Sequence, residues 1–276
     1  MSKRMLRRIG KQMEVGILVF SMLFMQVAPG LQATAMADGH GGGNGQVTET
    51  IAQWVFDSKQ GNDTIDDYNV SLGGNANFQG YSSSNDGVYA DSWSKNNYWQ
   101  VTVDTSGYEN ITVSSDHRSS GTGPKDFALE YSVDDGSNWN SVATETISQD
   151  GKFETLFDTV NVEDVVNDQT NVLFRWKVTD SNVGGGTSYI NNITITGENV
   201  LKPFNQASDQ SAMKAAIDHA VSESRLSAKS DYNNLVEGRK PAVAADLLSN
   251  RPGGGFEDIS EVDDIFGKLV NFRTAV

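Results

Sequence analysis

Between Tyr98 and Trp139 the chain repeats an apolar–polar alternation three times with no helical period, and this stretch limits the fold more than any other. Trp99, Val101 and Val103 alternate with Gln100 and Thr102. Ile111 and Val113 alternate with Thr112 and Ser114. Phe127, Leu129, Tyr131 and Val133 alternate with Ala128, Glu130 and Ser132. A period of two puts successive side chains on opposite faces of a strand, so each segment buries one face and leaves the other polar. Asp104-Thr105-Ser106-Gly107 and Gly121-Thr122-Gly123-Pro124 supply turn residues between them, as antiparallel strands require.

The alternation extends to both sides. Ile51 to Phe56 reads as a first strand, and the span to Ser94, rich in Asn, Gly, Ser and Asp, reads as long loops with one or two short strands. Phe153–Val160, Val172–Val178 and Tyr189–Thr196 are further strands. The total of about eight suits a two-sheet antiparallel sandwich of jelly-roll type over residues 49–199, with a closed barrel as the alternative. From Lys202-Pro203 the texture changes to Ala, Leu, Asp and Lys at helical spacing. Residues 203–276 are expected to form a small three-helix domain. Ser208 would cap a helix presenting Met213, Ile217, Ala220 and Val221. Pro241 would open a second with Ala244, Leu247 and Leu248 inward, and Ser260 would cap a third carrying Val262, Ile265, Phe266, Leu269 and Val270.

The amino terminus reads as a signal peptide over residues 1–37: Lys3, Arg4, Arg7, Arg8 and Lys11 precede an apolar run from Val15 to Met25, followed by Ala35-Met36-Ala37. That run is too short to span a bilayer, which takes about 20 apolar residues. A Gly-rich leader over 38–48 follows. The chain carries a net charge of −15; losing the five basic and one acidic residues of the signal peptide makes the mature chain −19. Such a charge disfavours nucleic acid as a partner. There is no cysteine, so an extracellular form of this chain depends on its core and not on disulfides.

Catalytic constellations are scarce. Only three histidines occur: His40 in the leader, His117 at a strand end and His219 in a helix, so no metal-ligand spacing and no nucleophile–base pair is evident, and no G-x-S-x-G is present. Asp63, Asp66 and Asp67 are candidate ligands for Ca²⁺, since hard cations prefer oxygen. For binding, the candidates are Tyr81, Trp93, Tyr98 and Arg118: flat rings in or beside polar loops can stack on a sugar face while amides and charged groups bond its hydroxyls. Trp93, followed by Ser94-Lys95-Asn96-Asn97, is expected to be exposed, and Trp54, Trp99, Trp139 and Trp176 to belong to the core. Arg118 is also expected to tie adjacent strands by pairing with Asp126 or Asp116.

Ser132-Val133-Asp134-Asp135-Gly136 with Trp139 resembles the Asp-box hairpin of sialidases and other secreted β proteins, which is structural there; Asn138 stands where Thr or Ser is usual. Residues 51–197 resemble the galactose-binding-like jelly-roll modules of large secreted bacterial proteins, including extracellular nucleases and phosphoesterases. The resemblance is carried by IAQWVF, by the stretch from Tyr98 to Trp139, and by YINNITITG, in which Ile190-Asn191-Asn192 replaces the usual Ile-Asp-Asn. Residues 204–270 resemble a helical repeat of Gram-positive surface proteins, carried by SAMKAAIDHA, Tyr232, Leu235 and KPAVAADLLSNRP. These resemblances imply a secreted, non-catalytic binding or cell-surface module that recognises a polysaccharide or cell-wall polymer. The alternatives are an accessory part of a secreted hydrolase and a structural surface-layer component.

Overall fold

The computed structural model describes residues 48–62, 64–181 and 183–275. The signal peptide expected over 1–37 and nearly all of the leader lie outside the described residues. Eleven strands are described: β1 (Thr48–Trp54), β2 (Ser71–Gly73), β3 (Asn77–Ser82), β4 (Gly87–Asp91), β5 (Tyr98–Val103), β6 (Tyr108–Ser119), β7 (Asp126–Ser132), β8 (Asn140–Thr146), β9 (Glu154–Asn161), β10 (Val172–Val178) and β11 (Ser188–Asn199). They form an antiparallel β-sandwich. One sheet runs β3-β4-β11-β6-β9, with β1 also on β11; the other runs β2-β5-β10-β7-β8. The region before Ser94 holds three short strands besides β1, more than its turn-rich composition suggested.

Alternation decides which side chains meet. Trp99, Val101 and Val103 of β5, Phe127, Leu129 and Tyr131 of β7, and Val172, Phe174, Trp176 and Val178 of β10 point inward from one sheet; Ile111, Val113 and Phe157, with Ile190, Ile193 and Ile195, point inward from the other. His117 belongs to this set. It is 0 % exposed, with Phe127, Phe157 and Trp176 rings 5.3–6.1 Å from its own, and its Nε2 lies 3.0 Å from Ser115 Oγ. Burial without a counter-charge lowers its pKa to about 3, so the ring is neutral at ordinary pH.

β11 pairs with β6 along one edge, and its other edge is taken by two partners in succession: β4 pairs Ser188–Ile190 and β1 pairs Ile193–Glu198. Asn191 fills the junction. Its Oδ1 accepts from Phe56 N (2.7 Å) and Asn192 N (2.8 Å), and its Nδ2 donates to Phe56 O (3.3 Å) and to Asp86 O. A carboxamide has two donors and at least two acceptor positions, and here all four are used where the ladder switches partner.

The hairpin from Ser132 to Trp139 has the bonds expected of it. Ser132 Oγ takes the Gly136 N–H at 2.9 Å, Asp134 Oδ1 takes the Asn138 N–H at 2.8 Å, and Trp139 Nε1 donates to Gly136 O at 2.9 Å. Hydrogen bonds from the Asn138 side chain, the Asn138 amide and the Ser132 hydroxyl, in that order, hold the Asp134 carboxyl below its usual range.

Beyond Val200 come α1 (Lys202–Gln206), α2 (Gln210–Ser222), α3 (Lys229–Asn234), α4 (Lys240–Asn250) and α5 (Ile259–Ala275). The three long helices fall where the periodicity places them, with Pro241 in the first turn of α4. Two of their caps differ. Asp209, not Ser208, accepts from Ala212 N at 2.8 Å, and Asp258, not Ser260, accepts from Glu261 N at 2.9 Å; Asp is as strong an N-cap as Ser, and the sequence pattern alone does not rank neighbours. The helices pack around Phe204, Met213, Ile217, Tyr232, Leu247, Val262 and Phe266, a core sharing no residue with that of the sandwich. Lys202 pairs with Glu49, and Arg225, whose side chain is 7 % exposed, holds Glu109 through Nε at 2.6 Å.

Candidate functional site

The outer face of the five-stranded sheet is built by the same alternation that builds the core. With Trp99 and Val101 turned in, Tyr98, Gln100 and Thr102 turn out; with Phe174 and Trp176 in, Leu173, Arg175 and Lys177 turn out; with Leu129 and Tyr131 in, Ala128, Glu130 and Ser132 turn out. Register aligns these positions in rows across the sheet: Ser71, Gln100, Arg175, Glu130 and Ser141 form one row, and Gly73, Tyr98, Lys177, Ala128 and Thr144 the next. Five strands at about 4.8 Å spacing make each row roughly 19 Å long.

Arg175 sits at the middle of this platform. Its Nε donates to Glu130 Oε2 at 2.7 Å and its Nη2 reaches the same oxygen at 2.5 Å; its guanidinium lies 3.7 Å from the centre of the Trp139 ring and 5.1 Å from that of Tyr98. Lys177 pairs with the other oxygen of Glu130, which is 6 % exposed. A buried carboxylate satisfied by two cations fixes the Arg175 plane, and two aromatic rings bracket it. Tyr98 lies over Gly73, where a Cβ would come within 2.0 Å of its ring, so glycine is required for this approach. At the open edge of the sheet a cleft of about 440 Å³ is lined by Trp54, Asp66, Asn69, Ser71, Gln100 and Thr102, with Trp54 Nε1 donating to Asn69 O at 3.1 Å. Half-buried rings beside amide, hydroxyl and charged groups can stack on sugar faces and exchange hydrogen bonds with their hydroxyls.

A second cleft, of about 450 Å³, opens on the six-stranded sheet between the β3–β4 turn, the β8–β9 loop, the end of β6 and the first half of β11. Arg118 lines it, with its Nε on Gly151 O and its guanidinium 4.5 Å from the centre of the Tyr189 ring. Tyr81 stands behind its wall, its hydroxyl donating to Asp57 O at 2.8 Å and lying 3.1 Å from Asp86 Oδ1.

The sequence candidates are therefore divided. Tyr98 is on the platform, and Arg118 and Tyr81 are at the second cleft. Trp93 is in neither place: it is 2 % exposed, its Nε1 donates to Ala90 O at 2.8 Å, and its ring packs 5.4 Å from that of Trp99. The polar run after it misled, because Asn97 turns inward to bond Ser94 N and Oγ and closes the loop over the indole. Trp54 and Trp139, expected in the core, are only partly buried, Trp54 packing against the core from its edge. Arg118 pairs with neither Asp126 nor Asp116; Asp126 bonds Thr146 and Asp116 bonds Thr155 and Asn192. Of the candidate cation ligands, Asp63 lies outside the described residues. Asp67 accepts from Thr64 N and Oγ1 at 2.8 Å each, a cap on its own turn, and among the described residues no three acidic, His or Cys side chains converge. Arg175, Glu130, Lys177 and Gln100 were not singled out from the sequence. Their signal is the charge pattern inside VLFRWKV, where two cations alternate with buried rings.

No family model and no curated protein matches the sequence. Among solved structures the chain is similar to the xylan-binding module CBM15 (16 % identity, 55 % of this chain and 97 % of that one, TM-score 0.39). It is similar to the CBM22-1 xylan-binding domain of Paenibacillus barcinonensis Xyn10C (12 % identity, 56 % and 97 %, TM-score 0.41). It is also similar to the K3 adhesin domain of Lys-gingipain from Porphyromonas gingivalis (14 % identity, 54 % and 99 %, TM-score 0.38).

Proposed function

We propose that this chain is a non-catalytic glycan-binding module of the cell exterior, and that the outer face of the five-stranded sheet receives an extended polysaccharide or cell-wall polymer. The observation that carries the reading is Arg175, pinned by Glu130 between the rings of Tyr98 and Trp139 at the centre of a polar sheet face. This face holds a half-buried charge trio and two large rings in fixed positions, and preorganisation of this kind lowers the entropy lost on binding. Rows of Gln, Arg, Lys, Ser and Thr offer donors and acceptors along the chain of a polymer, and Trp54 extends the platform at its edge. The non-catalytic reading is supported by His117, the sandwich's single histidine, which is sealed among aromatic rings with a lowered pKa and is out of reach of a ligand at the surface. The helical module, with its own core, serves as a spacer at the surface.

Affinity electrophoresis through gels containing soluble xylan, β-glucan or cell-wall polysaccharide tests the reading. The chain is expected to be retarded by at least one polymer, and Tyr98→Ala with Gln100→Ala to reduce the retardation by about tenfold or more, the scale of 1.4 kcal/mol. Unaltered mobility in every gel, or retardation that the double substitution leaves unchanged, would overturn it.

A further inference from the structure

The cleft on the six-stranded sheet belongs to no part of the platform, and its lining is organised for a different occupant. Its volume of about 450 Å³ is within the range of small-ligand sites. Its floor is set by the strand switch at Asn191, which fixes the Asp86 carbonyl on one side and the Asn192 amide on the other. Asp86 and Asn192, both in the lining, adopt left-handed backbone conformations with φ of 45° and 47°, a placement that non-glycine residues seldom take and that aims their side chains from fixed points.

The charged groups of the lining are held apart. Arg118 is fixed by the Gly151 carbonyl and by the ring of Tyr189, which is itself stacked on Tyr89 at 5.0 Å and 16°. Neither of its Nη nitrogens donates to a described residue, and it forms no ion pair among the described residues. Asp116 accepts one bond on each oxygen, from Thr155 Oγ1 at 2.7 Å and from Asn192 Nδ2 at 2.6 Å, so each oxygen keeps acceptor capacity. Asp86 engages one oxygen with Tyr81. Phe153 adds an apolar wall, its ring edge-on to Tyr189 at 6.2 Å.

We propose that this cleft is a second saccharide site, taking a single neutral sugar, free or at a chain end, through its vicinal hydroxyls. Arg118, with Nη2 uncommitted, and the acceptors on Asp116 and Asp86 line one space, which is the pattern that neighbouring hydroxyls satisfy, each giving one hydrogen bond and accepting another. Lys152 is paired with Asp150 at 3.4 Å, which leaves Arg118 with Asp86 and Asp116 in the lining, so no surplus of positive charge calls for a uronate, sulfate or phosphate. Phe153 provides the surface for a C–H face of the ring. The platform lies on the opposite sheet, so occupancy of one site leaves the other free.

An NMR titration of the full chain with the methyl glycosides of glucose, galactose and xylose tests the site. At least one glycoside is expected to shift the backbone amides of Asn85, Asp86, Gly151 and Asn192 to saturation while those of Tyr98, Gln100 and Arg175 stay in place. Arg118→Gln is expected to weaken that binding at least tenfold; Asp86→Asn, which keeps a residue tolerant of left-handed backbone, is expected to weaken it with the spectrum otherwise native. Tyr98→Ala is expected to leave it unchanged, which separates this site from the platform. No saturable shift at the cleft with any of the three glycosides, or binding undiminished in both cleft variants, would overturn the proposal.

Discussion

Lowering the pH from 7 to 5 loads the buried His117 position in a way that can be measured. In the unfolded chain an imidazole titrates near 6.5, whereas in the sandwich burial lowers His117 to about 3. Between those values the unfolded state binds a proton that the folded state refuses, so stability falls as pH falls, with a slope approaching about 1.4 kcal/mol per pH unit. The loss attributable to this one ring between pH 7 and 5 is about 2 kcal/mol. Asp180 is shifted upward by burial and acts in the opposite sense at lower pH, so the comparison must be made against a variant in the same background. His117→Gln retains a partner for Ser115 and does not titrate. Urea denaturation followed by tryptophan fluorescence, with Trp93, Trp99 and Trp176 buried in the folded state, gives the free energy at each pH. The native chain is expected to lose about 2 kcal/mol more than His117→Gln across this interval. Parallel pH profiles for the two proteins would refute the reasoning, since they would mean that the ring takes up a proton in the folded state as readily as in the unfolded one.

Asn191→Asp removes both donors to Phe56 O and Asp86 O and turns a carboxylate toward those carbonyls, so it is expected to cost about 2–5 kcal/mol at neutral pH, partly relieved in acid, as read from urea midpoints; a change below about 0.5 kcal/mol would mean that these bonds are dispensable. Trp93→Ala is expected to destabilise the sandwich by about 3–5 kcal/mol in the same assay, and a near-neutral result would place the ring outside the core. Limited proteolysis is expected to release a folded sandwich ending near Lys202, because the two cores share no residue, with Lys202–Glu49 and Arg225–Glu109 as polar ties across the junction; a tail protected until the sandwich itself unfolds would contradict that division.

The strands with a clean period of two were legible because burial of one face leaves a direct mark on the sequence. β5, β7 and β10 carry that mark, and so do the long helices, through their apolar spacing. β2, β3 and β4 were harder to read. They are short, and Gly80 and Gly87 interrupt their alternation. The candidate site was legible only in pieces, since Tyr98 could be found on its strand but its neighbours depend on cross-strand register. Arg175 meets Glu130 across 45 residues of sequence, and nothing local announces that pairing. The tryptophans were misassigned for a related reason. Exposure follows from which loop folds back over a ring, as Asn97 does beside Trp93, whereas Trp139 is left half-covered at the end of a hairpin whose bonds hold its edge.

The most direct test of the glycan platform is acrylamide quenching of tryptophan fluorescence in the presence and absence of a polysaccharide that retards the chain. Trp54 and Trp139 are the partly buried indoles and Trp93, Trp99 and Trp176 are buried, so the quenchable signal reports on the two rings that border the platform. The account predicts that the polysaccharide protects most of this signal and that Trp139→Phe removes a large part of the protected fraction. A polymer that binds the chain while leaving both indoles as quenchable as before would contradict it, because the sugar would then occupy some other surface.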